Sequence, residues 1–506
     1  MFWFVQIYLF NKGVKMRNLI NKQKNCLVAV LMLVVMSVSL VMPAKVFAAE
    51  NYTLTLKNDG KTEHEFEVYQ IFKGELSGST LSNIQWGDGI KASSKAGLGD
   101  ANAKAKTLTD TDKAQAFANS LQAHLDPAKK KTKTVAAGTT GTLGNLEPGY
   151  YLIKDKADSQ TGNNSAYTLY MLKIVKDTEA KTKLDVPTVV KKVQENSDGE
   201  WQDAADYGIG DTIPYKLTGT LPANYDKYEK YTYKFHDEMS AGLTLKADSI
   251  KVKIDGVLIP ASRYTVTTNA ATNGFTVAFA DLKTITETAV TKNSKIVVEY
   301  SCTLNNNAVI GSGGNPNTVY LEYSNNPNKG GEGDHGTTPK DKNIVFTYKV
   351  VVNKKDDANN PLQGAEFELY KKVGTNEVKM ATFTLDGTKT VFTFKGLDAG
   401  SYVLKETKTP SGYNTIKPIE FTITATYDKE SDDPKLTKLE GTTDLGTITF
   451  TADKTAGSVA TDVINNKGFV LPETGGMGRI LIYGLGSIFV LGALGYLGYK
   501  KREAAK

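Results

Sequence analysis

The sequence predicts an all-β protein made of tandem β-sandwich domains, followed by one membrane-spanning helix near the C-terminal end. Apolar and polar residues alternate in several short runs, such as 249–254 and 295–300. Turn-forming residues interrupt these runs at short spacing, and this pattern favours sandwiches over alternating strands and helices. An uncharged apolar run, 480–499, is long enough to cross the apolar core of a bilayer as a helix.

The N-terminal segment has the organisation of a secretory signal peptide. Basic residues precede an apolar run over 27–41, and small residues follow up to Ala48. We therefore expect a signal peptide over 1–48 that is cleaved after Ala48, with Met1 and Met16 as alternative starts.

Two polar stretches divide the exported region into three domains. The first stretch, 177–187, is rich in Lys, and the second, 326–343, contains Asn, Gly, Pro, His and Asp with almost nothing apolar. Together they predict a first domain over 49–184, a middle domain over 185–330, a linker over 331–343 and a third domain over 344–468.

One helix is expected, in the first domain, from Asp110 to His124. Residues 109–112 supply N-cap chemistry, and apolar residues recur at helical spacing through Phe117 and Leu121. The remaining mature sequence has the alternation and the turn residues of strands.

The composition argues against several functional classes. The net charge of +6 is spread over 506 residues, and basic runs such as 129–131 are short, so no nucleic-acid surface is expected. Cys26 lies in the signal peptide, which leaves Cys302 alone and excludes an intrachain disulfide. The sequence has no nucleophile elbow or phosphate loop, so we expect no turnover enzyme and no cofactor. No metal is expected either, because the four histidines have no ligand spacing: His64, His124, His236 and His335.

Strand parity points three polar side chains toward the core of the third domain. Lys354 shares a strand face with Val350 and Val352, and Glu406 and Asn465 continue other apolar faces in the same way. A buried charge is costly unless it is paired or neutralised. One interpretation is a buried Lys–Glu pair, or three exposed residues. The other is a reaction, in which a neutral Lys amine attacks the Asn amide while the acid moves protons and ammonia leaves.

The motifs around these residues resemble the collagen-adhesin B-type domain of Gram-positive pilins, an Ig-like sandwich. Two runs carry the resemblance: 361–369 and 402–413. The second run is similar to the family's E-box, except that Thr409 stands where Ala is usual. The resemblance implies an isopeptide bond from Lys354 to Asn465, with Glu406 as its catalyst. Asn466 is a neighbouring alternative whose parity is wrong.

The middle domain resembles the D2-type isopeptide domain of the same family. The matching runs are 187–193, 207–215, 235–243 and 323–327. With strand parity, the resemblance implies a bond between Lys191 and Asn325, with Asp237 as its catalyst. The alternatives are Lys192, Asn317 and Glu238. The first domain offers no clear Lys and Asn set, so no bond is expected there and Asp155 is interpreted as structural.

The C-terminal segment resembles the cell-wall sorting signal of Gram-positive bacteria. Its pentapeptide consists of Leu471, Pro472, Glu473, Thr474 and Gly475. The apolar helix over 480–499 and a basic cytoplasmic tail over 500–506 follow it. In that family a sortase cleaves between the Thr and the Gly, which here are Thr474 and Gly475, and passes the Thr acyl group to an amine. The alternative is that the pentapeptide is an ordinary loop and that the helix after it is a permanent membrane anchor.

The whole arrangement is similar to the LPXTG-anchored, isopeptide-forming major pilins. That resemblance implies a secreted structural subunit of a covalent pilus on the cell wall. The expected partners are a sortase, further copies of the chain, minor pilins, a peptidoglycan precursor and host ligands, with the membrane involved only in the precursor. The family's Tyr-Pro-Lys acceptor motif is absent, so Lys183 is a positional choice, with Lys176 and Lys181 as rivals. The alternative function is a singly displayed adhesin that binds host protein or glycan.

Overall fold

The computed structural model describes residues 51–182, 185–380, 388–468 and 477–504. The chain forms two compact units: Met1–Thr161 with Ser165–Leu184, and Gly162–Asn164 with Asp185–Lys506. The predicted signal peptide, Lys183 and the pentapeptide 471–475 lie outside the described residues.

The first unit contains two sheets. One has the strand order β5-β1-β8, and the other has the order β3-β2-β6-β7, with β4 also paired to β2. Apolar residues of β1 are buried at every second position, at Leu54 and Leu56, as the alternating sequence predicts, whereas β2 buries apolar residues on both of its faces. The strands are β1 (Tyr52–Lys57), β2 (His64–Ser77), β3 (Thr80–Trp86), β4 (Lys131–Val135), β5 (Thr140–Leu146), β6 (Gly149–Asp155), β7 (Leu169–Ile174) and β8 (Thr178–Lys181).

The helices of this unit lie between β3 and β4. They are α1 (Ala92–Leu98), α2 (Ala101–Thr107) and α3 (Thr111–Ser120), with 3-10 turns at Gln122–His124 and Pro127–Lys129. The expected helix is therefore α3 plus the first 3-10 turn, and the Asp110 side chain caps it by accepting from Lys113 N at 2.8 Å. The sequence analysis missed α1 and α2, because these seven-residue helices have at most one buried residue and so no apolar stripe.

The middle domain is a sandwich of a six-stranded sheet and a seven-stranded sheet. Their orders are β10-β9-β12-β18-β14-β15 and β11-β21-β19-β13-β17-β16, with β20 added to β19. The strands are β9 (Val189–Gln194), β10 (Trp201–Gln202), β11 (Ala204–Asp206), β12 (Thr212–Gly219), β13 (Tyr233–Met239), β14 (Leu243–Ile254), β15 (Val257–Ile259), β16 (Thr265–Asn269), β17 (Gly274–Phe279), β18 (Ile296–Leu304), β19 (Asn315–Ser324), β20 (His335–Thr337) and β21 (Asp341–Phe346). Short 3-10 turns occur at Tyr225–Lys227, Ala261–Arg263 and Leu282–Thr284. Inward residues of both sheets form one core that is rich in Tyr and Phe.

The third domain is a smaller sandwich. Its sheets have the orders β25-β22-β30-β29 and β24-β23-β26-β27-β28. The first and last strands, β22 and β30, are parallel neighbours. The strands are β22 (Tyr348–Asp356), β23 (Glu366–Val373), β24 (Asn376–Lys379), β25 (Val391–Leu397), β26 (Gly400–Lys408), β27 (Ile419–Tyr427), β28 (Leu436–Thr442), β29 (Thr451–Asp453) and β30 (Ser458–Asn465).

The predicted linker 331–343 needs correction, because it contains β20 and the first half of β21. β21 lies between β11 and β19 in the sheet of the middle domain. Val345 of this strand packs in the core of the middle domain, whereas Ile344 and Phe346 pack in the core of the third. One strand thus serves two cores. Its polar residues suggested a loop, but Asn343 is buried and Asp341 and Lys342 are half-buried, through tertiary contacts that no local pattern reveals.

The C-terminal helix, α4 (Met477–Glu503), extends the apolar run at both ends. Within the described residues, it is the one helix long and apolar enough to cross a membrane, over Leu481–Glu503. The predicted all-β class with one C-terminal apolar helix is therefore confirmed.

Candidate functional site

Lys191 is buried in the centre of the middle domain. Inward and outward residues alternate along β9, so Lys191 lies between Val189 and Val193 on the core face and is 0 % exposed. Lys192 points the other way and forms an ion pair with Asp203 at 2.9 Å. Of these two lysines, the structure therefore brings Lys191 to the core, as parity predicts.

The Lys191 amine faces an acid and a phenol in a dry, aromatic environment. Its Nζ forms an ion pair with the buried Asp237 carboxylate and donates to Tyr300 Oη at 2.7 Å. Tyr300 Oη in turn donates to Asp237 Oδ2 at 2.9 Å. The rings of Tyr215 and Tyr300 both have their centroids 5.3 Å from Nζ. Burial lowers the pKa of Lys191 and raises the pKa of Asp237, against their mutual attraction. Both shifts favour neutral groups.

Asn317 completes the cluster from the opposite sheet. Asn317 lies on β19, directly opposite Met239 of β13 and diagonally across from Asp237 of that same strand. Its Nδ2 donates to Tyr300 Oη at 2.9 Å. Two buried oxygens, Asp237 Oδ1 and Asn317 Oδ1, have no hydrogen-bond partner among the described residues. A proton on Asp237 Oδ1 could be donated to the Asn317 carbonyl, which would satisfy both oxygens and polarise the amide.

Asn325 does not reach this cluster, so the pairing expected for Lys191 is corrected to Asn317. Asn325 is also buried, but it lies eight residues beyond Asn317, which is about 26 Å along an extended chain. Parity could not separate the two, because both share the inward face. The alternative acid Glu238 points outward and pairs with Lys340.

In the third domain the structure brings all three predicted residues together. Lys354 is 1 % exposed, and its Nζ donates to the carbonyls of Lys355 and Val463, each at 3.1 Å. Asn465 Nδ2 donates to both carboxylate oxygens of Glu406, at 2.9 and 3.1 Å. Burial lowers the pKa of Lys354 to about 8. The amine is therefore available as a nucleophile near neutral pH.

Glu406 has a wetter environment than Asp237. It is half-buried, and its Oε2 accepts from Ile416 N at 3.2 Å and from the Thr409 hydroxyl at 3.3 Å. Thr409 is the position at which the E-box departs from the family pattern, and here it binds the acid. The neighbouring Asn466 is exposed, as its parity indicates.

The first unit contains a buried side-chain relay that the sequence analysis missed. His64 Nδ1 lies 2.8 Å from Asp155 Oδ1, and Ser165 Oγ lies 2.9 Å from His64 Nε2. Asp155 Oδ2 also accepts from Thr168 N at 2.6 Å. The order of groups is that of a hydrolase triad, but all three side chains are at most 2 % exposed. The relay therefore ties β2, β6 and the segment after it together, which agrees with a structural Asp155.

The two described candidates for the acceptor amine are accessible. Lys181 is exposed at the end of β8, and Lys176 is exposed in the bend before this strand.

Comparisons with known proteins agree with this architecture. Residues 209–327 match the family described as Gram-positive pilin backbone subunit 2, Cna-B-like domain, and residues 348–437 match the SpaA family, described as a prealbumin-like fold domain. The chain is a structural subunit of a pilus. Its location is the cell wall and pilus surface of a Gram-positive bacterium. A singly displayed adhesin is not favoured by these matches.

Similar proteins include pilins of Streptococcus and Corynebacterium. The trypsin-resistant surface T6 protein of Streptococcus pyogenes serotype M6 is 26 % identical over 391 residues, covering 64 % of this chain and 70 % of the relative. The structure of the T6 backbone pilin of that serotype is 18 % identical, has a TM-score of 0.54, and is matched over 83 % of this chain and 99 % of its own. The full-length major pilin SpaD of Corynebacterium diphtheriae is 19 % identical, with a TM-score of 0.48, over 83 % and 98 % of the two chains. The likeness to the T6 structure shows that this chain and the T6 backbone pilin share a fold.

The buried pair in the middle domain predicts an unusual order of stabilities. Asp237→Ala removes the partner of the buried Lys191 amine, which must then be buried unpaired or give up its proton, and it should destabilise the domain by about 3 kcal/mol relative to the double variant Lys191→Met/Asp237→Ala. Neither variant can cross-link, so the difference in unfolding free energy in urea reports the unpaired lysine. The control is the double variant Asp237→Ala/Lys340→Met, in which the second change is at an exposed lysine of the same sandwich. Its stability should differ from that of Asp237→Ala by less than about 1 kcal/mol. Equal stability of the single and double variants would contradict the prediction.

The lowered pKa of Lys354 predicts a pH-dependent reaction in the third domain. The neutral fraction of an amine with a pKa of about 8 rises about tenfold per pH unit below that value. Chain carrying Lys191→Ala, recovered unfolded and refolded by dilution, should therefore lose ammonia faster as pH rises from 6 to 8, and no faster above about 9. Intact mass against time measures the rate. A rate that is flat across this range would show that the proton leaves Lys354 within the cluster before attack.

Proposed function

We propose that the chain is the repeating subunit of a covalent, sortase-assembled pilus, reinforced by two autocatalytic Lys–Asn isopeptide bonds. The observation that carries this proposal is the Lys191, Asp237 and Asn317 cluster, in which a buried amine, acid and carboxamide all contact Tyr300. The Lys354, Glu406 and Asn465 cluster supports the same chemistry in the third domain.

The reaction in each domain is an amide exchange. The neutral Lys Nζ attacks Cγ of the Asn carboxamide, and the amide Cγ–Nδ2 bond breaks as the Cγ–Nζ bond forms. One proton of the amine goes to the departing nitrogen, so that ammonia leaves and both residues end neutral. No external reactant is needed. In the middle domain, Tyr300 holds the amine and the carboxamide on one hydroxyl and keeps them adjacent.

The acids act as proton carriers. A protonated Asp237 can donate to the Asn317 carbonyl during attack and then return a proton to the leaving nitrogen. Glu406 already contacts Nδ2 of Asn465, the nitrogen that must leave. These positions support Asp237 and Glu406 as the catalytic groups of the two domains.

The bonds would add to durability in two ways. They join residues separated by 126 and 111 positions in sequence, and a cross-link over about 100 residues contributes about 4–5 kcal/mol through the unfolded state. In the third domain, the bond joins the first and last strands, β22 and β30. Tension applied to the ends of this domain would then pass through a covalent bond, and no disulfide is needed.

The joints between subunits would use the C-terminal motif. A sortase cleaves the Thr474–Gly475 amide and transfers the Thr474 acyl group to a lysine of the next copy, with Lys183 as the positional choice. α4 holds the precursor at the membrane until that cleavage. Each copy offers one acyl donor and one acceptor amine, and such a head-to-tail contact builds a filament. Minor pilins enter by the same chemistry, and transfer to a peptidoglycan precursor ends growth at the wall.

Intact mass tests the internal bonds. The mature chain should weigh about 34 Da less than its sequence, because each bond releases one ammonia of about 17 Da. Lys191→Ala, Asn317→Ala and Lys354→Ala should each restore about 17 Da. Asn325→Ala is the matched control and should keep both losses. A mature chain at its sequence mass would refute the bonds, and a loss restored by Asn325→Ala alone would refute the corrected pairing.

Wall extracts of the producing bacterium test the joints. Boiled in SDS, they should show a ladder of covalent multimers that disappears with Thr474→Ala, because this substitution alters the pentapeptide that the sortase must recognise before it can form the acyl donor. Tandem mass spectrometry of the ladder should find a branched peptide joining Thr474 to one lysine, and replacing that lysine by Arg should abolish the ladder. Lys→Arg at the other two of 176, 181 and 183 serves as the control. A single band in the extract of the unmodified strain would contradict polymerisation and favour the singly displayed adhesin.

A further inference from the structure

Asn343 is a buried carboxamide that neither the fold nor the proposed bond accounts for. It lies on β21 and is 0 % exposed. Its Oδ1 and its Nδ2 both lack a hydrogen-bond partner among the described residues. A buried amide in this state is unfavourable by the full cost of its desolvation. Such a residue calls for an explanation beyond strand pairing.

The register places Asn343 beside the reacting carboxamide. β21 and β19 are antiparallel, and Asn343 lies directly opposite Asn317. Opposite residues of an antiparallel pair share a sheet face, with Cβ atoms about 5 Å apart. Val345, two residues further along β21, packs in the core of the middle domain, so Asn343 faces that same core. β21 also meets the strand of the nucleophile, because Lys191 N donates to Asp341 Oδ2 at 2.6 Å.

Asn317 is therefore flanked on both sides within its sheet. Asp237 lies on β13 on one side, and Asn343 lies on β21 on the other. Asn317 Nδ2 is directed to Tyr300, which leaves its Oδ1 as a buried acceptor without a partner among the described residues. Directly across from it on β21, the Asn343 amide is a donor without a partner among the described residues.

We propose that Asn343 Nδ2 is an oxyanion donor for isopeptide formation on Asn317. This inference rests on the proposed Lys191–Asn317 bond. When Nζ attacks Cγ, the carbonyl electron pair moves to Oδ1, and the negative charge that develops there is stabilised by nearby hydrogen-bond donors. Asn343 Nδ2 makes no hydrogen bond to Asn317 Oδ1 before the reaction, and it supplies an N–H from one side as the charge develops, while the Asp237 proton supplies the other. The Asn343 amide is not consumed, and ammonia comes only from Asn317.

The same placement explains which carboxamide reacts. Asn317 shares Tyr300 Oη with the Lys191 amine, whereas Asn343 lies across Asn317 from the strand that carries Asp237. The attacked carbon is the one that has both the amine and the acid beside it.

The test uses the full mature chain with Lys354→Ala, so that only the bond of the middle domain changes the mass. Protein recovered unfolded is refolded by dilution, and the loss of about 17 Da is followed with time. Asn343→Leu keeps the approximate volume and removes the donor, and it should slow the loss about 100-fold or more. The same substitution in a Lys191→Met background, which cannot react, should leave stability unchanged or raised, because an unsatisfied amide is removed. If the role of Asn343 is only structural, Asn343→Leu should instead lower the stability in this background.

Asn343→Asp serves as the second variant, also for the case that Asn343→Leu does not refold. Its carboxyl can donate only when protonated, so its rate relative to the parent at the same pH should rise as pH falls from 8 to 5. If the parent protein loses ammonia and both Asn343 variants lose it equally fast, the role of Asn343 is overturned, while the proposed Lys191–Asn317 bond is supported. A parent without the mass loss would overturn the proposed bond and, with it, this inference.

Discussion

The removal of water from the Lys191 amine is the constraint on which the middle domain depends. Inside the sandwich, the amine meets a carboxyl, a phenol and two aromatic rings, and each ion alone would be strongly unfavourable there. Desolvation lowers the pKa of Lys191 and raises the pKa of Asp237. Desolvation therefore favours the neutral amine and the neutral acid over the ion pair, and these are the two species that amide exchange requires.

The two clusters use this constraint to different degrees. In the middle domain the acid is enclosed and contacts the amine directly, with Tyr300 joining all three groups. In the third domain Glu406 is half-buried, accepts further hydrogen bonds and contacts the carboxamide, while Lys354 donates to main-chain carbonyls. In the proposed reaction, the first cluster would therefore act mainly by neutralising the ion pair. The second would act mainly by helping the Asn465 nitrogen to leave, with a lysine whose pKa of about 8 is already close to neutral pH.

The middle and third domains form one unit because they share structure at their junction. β21 serves both cores. Asp206 of the middle domain accepts from Ala399 N of the third at 2.8 Å, and Tyr427 donates to Glu195 at 2.7 Å. Burial and the neighbouring Glu195 raise the pKa of Asp206 to about 7. Force that passes between these two domains thus crosses the junction through strand pairing and partly buried hydrogen bonds, and no flexible linker separates the two cores.

Sequence alone predicted the sandwich class, the apolar C-terminal helix and the inward face of Lys191, Lys354, Glu406 and Asn465, because strand parity is a local property with a period of two. It favoured Asn325 over Asn317 as the partner of Lys191, since both have the same parity and only the stacking of one sheet on the other decides which position along the chain meets the amine. It misassigned β21 as a linker, because the burial of Asn343 comes from partners far away in the chain. It missed the relay of His64, Asp155 and Ser165 for the same reason. Local pattern sets which way a side chain points, and tertiary packing decides what it meets.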